Sequence, residues 1–288
     1  PDQMARMILG TKNQTPAAVE NWKRERGYHL PRLWNTDEQG AAKLTQTIFY
    51  QKSVELLWFD FGTSDRNNER IGGEIRRRIP ASLSFAVPTF ILGLFINLAL
   101  SMLVAYYRAT YLDGVALFVC VILLSIAGLL YIITGQLLFA VMLKLTPISG
   151  YLHGIDSFKF LVTPVLIGLV SGIGGGIRFN RTLFLEEVGK DYVRTARSKG
   201  LSERTTLFVH VLKNAMIPIL TNVVFALPFL FMGSLLTESF LAIPGLGGFT
   251  LEGIKGQDFA IVKSMVFLGS TLYIVAQILT DLSYTLVD

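Results

Sequence analysis

Five long stretches without a charged side chain constrain this sequence more than any other feature. One helix crosses a bilayer core with about 20 mostly apolar residues, within roughly 17–25, and each stretch has about that length or more. The last continues to Val287 with only Asp281 interrupting it. The sequence therefore predicts five membrane-spanning segments. They are residues 81–107, 114–143, 160–177, 214–237 and 264–280.

The spans are predicted to be helices. Backbone hydrogen bonds must close within the protein in lipid, which leaves helices or the strands of a closed barrel. Barrel strands are short and alternate between apolar and polar residues, whereas these stretches are continuously apolar. A soluble all-α protein would have to bury all five within one modest core, so we favour a polytopic all-α membrane bundle.

Charge and cysteine content narrow the possible partners. Lys and Arg exceed Asp and Glu by 26 to 21, a net charge of +5. The cations form no stripe with interleaved aromatic residues, so nucleic acid is not an expected partner. Cys120 is the one cysteine, which excludes a disulfide within the chain and gives no basis for a metal site. An inner-membrane protein in contact with lipid, with the usual bias of its inner loops towards Lys and Arg, explains the positive charge better.

The connections between spans predict the topology. Connections 106–114 and 178–213 together hold nine Lys and Arg, whereas 144–159 and 238–263 hold four. Short cytoplasmic loops carry the excess of Lys and Arg. Segment 178–213 is therefore predicted to lie in the cytoplasm, with the C-terminus on the same side and the N-terminal segment outside.

Residues 1–80 are polar and rich in turn signals, and we expect them to form an extracytoplasmic segment before a membrane region at 81–288. The sequence starts without a methionine, signal peptide or apolar helix, so a first membrane helix is expected to precede it. Three arginines next to the first span oppose this topology. They are Arg76, Arg77 and Arg78.

A short amphipathic helix is predicted just before the first span. Ile71, Ile75 and Ile79 recur at spacings of four residues, which places them on one helical face. Such a helix can lie on the membrane surface with that face in the lipid.

Residues 181–214 have the pattern of a helix, a turn and a second helix. An apolar stripe runs along the first helix, Gly200 is a plausible stop and Ser202 can cap the second helix. Two interpretations stay open on pattern alone. The segment is either a solvated basic loop that joins two spans or a docking element for a cytoplasmic partner.

The same residues resemble those of a known protein family. DYVRTARSKGLSERTTLFVHVLKNAMIP, starting at Asp191, closely resembles the cytoplasmic EAA region of ABC-type permeases of the oligopeptide, dipeptide and nickel import group. LTESFLAIPGLGGF at 236–249 resembles that group's outer loop, and LTDLSYTLVD at 279–288 its final helix. ERGYHLP and FDFGTS resemble its extracytoplasmic segment. Arg194-Thr195 departs from the Glu-Ala of the general motif but is usual in this group.

The resemblance implies a permease subunit with the helical bundle of a type I ABC importer and six helices in all. It further implies two partner ATPase subunits that bind ATP and Mg²⁺, a second homologous permease subunit and an extracytoplasmic binding protein, with peptides as substrate. The loop would then form a coupling helix seated in the ATPase. Its expected contact residues are Asp191, Tyr192, Arg194, Thr195, Ala196, Arg197, Lys199 and Gly200.

The sequence contains few signals of catalysis or nucleotide binding. It contains no G-x-x-x-x-G-K-[ST] sequence for nucleotide phosphates and no H-E-x-x-H pair, so we expect a non-catalytic subunit with no catalytic residue and no bound cofactor. An ATP-independent channel or secondary carrier is the alternative, and an intramembrane hydrolase a weaker one. Four glycines near the end of the third span predict close helix packing or a hinge. They are Gly172, Gly174, Gly175 and Gly176.

Polar side chains within the spans are candidates for the substrate path, although each could instead satisfy a neighbouring helix. These are Asn97, Gln136, Asn222 and Gln277. The outer loop 238–252 is predicted to form a tight turn at the membrane, and its Glu238 and Glu252 are expected to be solvated, with cation binding as the less common case.

Overall fold

A computed structural model describes residues 2–9, 15–152 and 157–287. These residues form helices and their connections, apart from an isolated bridge between Thr63 and Arg70. The predicted all-α class is confirmed. The helices are α1 Asp2–Leu9, α2 Pro16–Glu25, α3 Ala42–Thr45, α4 Ile71–Tyr106, α5 Tyr111–Ser125, α6 Gly128–Gly135, α7 Phe158–Val188, α8 Asp191–Ser198, α9 Glu203–Thr205, α10 Leu212–Ala226, α11 Leu235–Leu241, α12 Leu246–Lys255 and α13 Phe259–Val287.

Four helical segments of the described residues are long and apolar enough to cross a membrane. They correspond to four of the predicted spans, but most continue past the charge-free stretches because helices extend beyond the lipid. One of them is composite: a π-helical segment, Thr206–Val211, joins α9 to α10, and a 3₁₀ segment, Leu227–Met232, follows α10. The four are Ile71–Tyr106, Phe158–Val188, Glu203–Met232 and Phe259–Ser283.

The predicted span over 114–143 is not a single straight helix. The chain bends by 90° between Tyr111–Ser125 and Gly128–Met142, because Ile126 and Ala127 have extended backbone torsions. The Tyr131 hydroxyl donates to the carbonyl of Leu123 at 2.7 Å and satisfies a carbonyl near the end of α5. This stretch is therefore a broken span or a re-entrant loop.

Glycines allow α7 to pack closely against its neighbours, as the sequence predicted. A Cβ added at Gly174 would lie 2.8 Å from the backbone oxygen of Cys120 in α5, and one added at Gly176 would lie 2.3 Å from Cγ of Asn97 in α4. Side chains at these positions would push the helices apart. A bidentate ion pair between Asp113 and Arg181 adds to the α5–α7 contact, with N–O distances of 2.8 and 2.7 Å.

The prediction of a separate surface helix around Ile71 and Ile75 is also wrong. These residues are the first turns of α4, and their side chains are buried against α12 and the start of α13, in contact with Leu246, Phe249 and Met265. The apolar face is covered by protein and not by lipid. The adjacent Arg78 pairs with Glu252 at 3.0 Å and lies over the ring of Phe249.

The bundle has two ends, joined by α4. Residues 26–65 pack at one end. There Ser64 and Asp65 form hydrogen bonds with Asp258, which precedes α13, and Asp65 also bonds to Ala260 in the first turn of α13. At the other end, Met102 of α4 contacts the core beneath α8. From Ile75 to Met102, α4 rises about 40 Å at 1.5 Å per residue. That rise exceeds the roughly 30 Å of a bilayer core, so α4 is long enough to cross one.

Candidate functional site: an end helix and a cleft between spans

Helix α8 rests firmly on the ends of the spans. Its Val193 and Ala196 are buried, and they join a cluster with Met102 and Ala105 of α4 and Phe184 of α7. Leu207, Val211, Ala215 and Ile219 continue the same cluster along one face of the following helix. Ala196, one of the predicted contact residues, therefore packs against the chain's own bundle.

One carboxylate joins α8 to two spans. Oε1 of Glu203 accepts from Nη2 of Arg108, just beyond α4, and from Nη2 of Arg197 in α8, both at 2.9 Å. Nε of Arg197 donates to the second oxygen at 3.1 Å. Charge-assisted bonds of this kind are about twice as strong as neutral ones. The predicted contact residue Arg197 thus fixes the orientation of α8.

The turn after α8 has the predicted form. Gly200 has a φ of +80°, in the left-handed region that glycine enters without steric cost. Leu201 N donates to the carbonyl of Ala196 at 3.3 Å. Ser202 then caps the next helix, its hydroxyl accepting from Thr205 N at 3.2 Å. The chain reverses within four residues and returns to the membrane.

The outward face of α8 is polar and accessible. Asp191, Arg194, Thr195 and Lys199 are exposed, and Arg194 reaches Asp191 at only 3.4 Å. An exposed pair of this type contributes little to stability. These side chains are available to a partner, unlike Ala196.

Tyr192 lies between the two faces. Its hydroxyl donates to Oε2 of Glu187 at 2.7 Å, and Lys190 donates to the other oxygen of that carboxylate. Burial and the adjacent Glu187 raise the pKa of Tyr192 to about 12, so the phenol remains a hydrogen-bond donor at neutral pH. Glu187 and Glu203 were not singled out in the sequence, because acidic residues in a charged segment look solvated.

A second feature is a cleft of about 280 Å³ between α4, α7 and α10. It brings together two predicted path residues, Asn97 and Asn222, with a third asparagine, Asn180. Asn180 could not be found from the sequence by counting polar residues within spans, because it follows Arg178 and falls outside the charge-free stretch.

The other two predicted path residues lie elsewhere. Gln136 donates to the carbonyls of Ile148 and Phe240 at 3.0 and 3.1 Å, so it joins the α6 region to α11. Gln277 is exposed on α13, where its closest described partner is Asp281 at 3.5 Å. Neither residue lines the cleft.

The expectation that Glu238 is solvated is wrong. Its side chain is fully buried and accepts from Ser82 Oγ at 2.8 Å, Gly248 N at 2.8 Å and Ser234 N at 3.2 Å. Burial raises the pKa of Glu238, against the opposing effect of these bonds. The carboxyl holds the turn 233–248 on α4.

Among the described residues, four helices long and apolar enough to cross a membrane, a bent apolar helix pair and a short polar helix folded back onto the helix ends define a multi-pass membrane protein. Residues 78–288 match the family model for the binding-protein-dependent transport system inner membrane component. The match covers most of the chain, so the protein belongs to this family of membrane transport components. It is accordingly a multi-pass protein of the bacterial inner membrane.

Individual relatives agree with this assignment. The chain is 29% identical over 293 residues to a Brucella abortus (strain 2308) protein provisionally named a peptide transport system permease, covering all of this chain and 88% of the relative. It is 30% identical over 246 residues to the dipeptide transport system permease protein of Bacillus subtilis (strain 168), covering 84% of this chain and 77% of the relative. The Escherichia coli (strain K12) dipeptide transport system permease protein is 26% identical over 270 residues, covering 83% of this chain and 80% of the relative.

Proposed function

We propose that this chain is a permease subunit of an ATP-driven importer for peptides. It forms part of the translocation path and is moved by a separate ATPase subunit, which binds ATP and Mg²⁺. A second permease subunit completes the path, and an extracytoplasmic binding protein delivers the peptide. The peptide assignment rests on the names of the relatives.

The observation that carries the proposal is the construction of α8. A helix with an exposed polar face and a buried apolar face, bonded through Glu203 to Arg108 and Arg197, moves together with the ends of α4 and α10. A force applied to its outer face is therefore transmitted to the spans and not absorbed by a loose loop. Two packed arrangements of the bundle, biased by the nucleotide state of the ATPase, would give alternating access.

In this proposal segment 178–213 faces the cytoplasm, and residues 1–70 with 238–263 face outward. The α4 rise of about 40 Å, which is more than the thickness of a bilayer core, supports this division. Three arginines next to the first span opposed this topology. One of them, Arg78, is paired with the carboxylates of Glu74 and Glu252, which offset its positive charge.

Affinity purification of the native transporter tests the role of α8. Reversing two exposed charges, Arg194→Glu with Lys199→Glu, is expected to remove the ATPase subunit from the purified complex and to abolish ATP-dependent peptide uptake. Lys255→Glu makes the same kind of charge change at the opposite end and should leave both intact. Retention of the ATPase and of uptake by the double variant would contradict the proposal.

A further inference from the structure

The cleft between α4, α7 and α10 is polar in an unusual way. Its lining carries no Asp, Glu, Lys or Arg, yet three asparagine amides and Thr89 open into surroundings that are otherwise apolar or glycine. Amides within spans are costly unless they have partners. The described lining therefore favours an occupant that presents uncharged hydrogen-bonding groups to the cleft.

The amides of the cleft have unused hydrogen-bonding capacity. Oδ1 of Asn97 is buried and has no hydrogen-bond partner among the described residues. Asn222 uses its Nδ2 on the carbonyl of Pro218 in its own helix, at 2.8 Å, so its oxygen is left to accept. The side chain of the buried Asn180 makes no hydrogen bond to the part of the chain that the structure describes. A buried acceptor without a partner is destabilising, so a ligand that donates to it is favoured.

The position of Asn97 is built into the helix packing. Its amide lies against the backbone of Gly176, where a Cβ would come within 2.3 Å of Cγ and 2.5 Å of Oδ1 and Nδ2. The absence of a side chain at residue 176 therefore makes room for this amide at the wall of the cleft.

Three occupants can be compared by their chemistry. A lipid acyl chain would leave every amide unpaired, and the backbone of a second membrane helix is already bonded internally. An extended peptide presents unpaired N–H and C=O groups along its backbone, and both kinds match an asparagine amide. Neutral amides also favour weak binding that lets a substrate move on, as a translocation path requires.

The cleft is physically continuous with the seat of α8. Ile219 both lines the cleft and belongs to the buried cluster beneath Val193 and Ala196. A displacement of α8 along that cluster would move α10 and change the width of the cleft.

We propose that Asn97, Asn180 and Asn222 form a subsite that binds the backbone of the transported peptide through hydrogen bonds, independently of its side chains. This inference rests on the proposed function and adds the chemical group that is recognised and its place in the bundle.

The test uses the complete transporter in proteoliposomes, with tri-alanine and an analogue of it methylated on both backbone amide nitrogens as probes. The quantity measured is the ratio of their ATP-driven uptake rates. Asn97→Leu and Asn222→Leu, separately and together, remove hydrogen bonding and keep the number and branching of the side-chain heavy atoms. Gln277→Leu is the matched control, since it is an exposed span amide outside the cleft.

We expect the wild-type protein and Gln277→Leu to prefer tri-alanine equally, and the double variant to lose this preference by on the order of tenfold while its ATP hydrolysis persists. Because every variant uses the same binding protein, a change in the ratio reports on the permease. Asn222 is exposed, and its hydrogen bond among the described residues is to its own helix, so Asn222→Leu should fold and show a part of the effect.

Two results would overturn the subsite alone. One is an unchanged ratio in the double variant with ATP-driven uptake intact. The other is loss of the second permease from the purified complex of the variants, which would show that the cleft is an inter-subunit contact. Uptake by the wild-type complex that does not depend on ATP would instead overturn the proposed function, and the subsite with it.

Discussion

Glu238 shows how one buried carboxyl organises an outer turn. It receives three hydrogen bonds, from Ser82, Ser234 and Gly248, and Ser82 Oγ also accepts from Leu246 N at 2.8 Å. Gly245 leaves the space that this carboxyl occupies, because a Cβ there would lie 2.4 Å from its Oε2. The network fixes the turn after α10 to the start of the membrane region of α4.

The raised pKa of Glu238 predicts a specific pH dependence. Burial raises the pKa above the ordinary value of 4.5, so between these two values the folded protein binds more protons than the unfolded chain. The contribution of this carboxyl to stability is then full below about pH 4.5 and is lost as the pH rises through the raised pKa.

Unfolding temperatures of the wild-type protein and Glu238→Gln in detergent, compared from about pH 4 to about pH 8, measure this effect. The wild-type value should fall relative to that of the variant as the pH rises, because only the wild type must ionise a buried group. A relative rise over the same range would show that the hydrogen bonds outweigh burial.

Sequence reasoning failed at this residue for a physical reason. An acidic residue in a loop with glycines and a proline is usually solvated, and nothing near Glu238 in sequence shows that Ser82, 156 positions earlier, would reach it. Asn97 and Asn222 were identified because amides are rare within apolar spans, but only the packing of three helices shows that they share one cleft.

At the scale of elements, α7 organises the bundle through its glycines. It contacts α5 where Gly174 meets the carbonyl of Cys120, and a Cβ there would also lie 3.1 Å from Cβ of Leu123. A backbone atom cannot rotate away as the end of a side chain can, so this contact permits no added atom.

Gly174→Ala should therefore destabilise the protein by about 1–3 kcal/mol, the usual cost of overpacking. Gly172→Ala is the matched control, because a Cβ at Gly172 meets nothing within 4 Å. The measurement is the unfolding temperature of each purified variant in the same detergent. Equal unfolding temperatures for the two variants would contradict the close α5–α7 contact.

The turn after α8 gives a second prediction at this scale. Gly200→Val forces a β-branched residue into the left-handed region, at a cost of about 1–2 kcal/mol, and should reorient α8 so that ATP-dependent uptake is lost while membrane insertion persists. Gly40 has a similar φ of +64° and equally open surroundings. Gly40→Val therefore carries the same backbone strain in the N-terminal segment, and normal uptake is expected for it.

If Gly200→Val transports as well as Gly40→Val does, the orientation of α8 has no part in transport. Equal loss of uptake in both variants would point to a general effect of strain on folding, and membrane insertion measured in parallel would show it.

The sequence predicted elements well where lipid imposes the rule. Four charge-free stretches became long helices because unpaired backbone groups are excluded from the bilayer core. The break at Ile126 and Ala127 was not predictable, because the local sequence contains no proline. Contacts distant in sequence, such as that of Gln136 with Phe240, accompany the bend. Likewise, the isoleucine face of α4 looked lipid-facing until α12 and α13 were seen to cover it.

At the scale of the whole molecule, the two ends of the bundle differ in what they carry. One end carries α8, whose outer face is free, and the other carries residues 26–65 docked on the start of α13. In the proposed topology the membrane lies between them, and the asparagine cleft lies among the spans that join them. This arrangement suits a subunit that receives a mechanical input on one side of the membrane and a substrate on the other.

In the proposed function, ATP hydrolysis by a partner subunit drives peptide movement through this chain. The most direct test measures tri-alanine accumulation in proteoliposomes that contain the complete transporter, with an ATPase subunit that is either active or inactivated in its phosphate-binding lysine. Accumulation above the external concentration with the active subunit alone is predicted. Equal flux with the inactivated subunit would contradict the claim and show an ATP-independent channel or carrier.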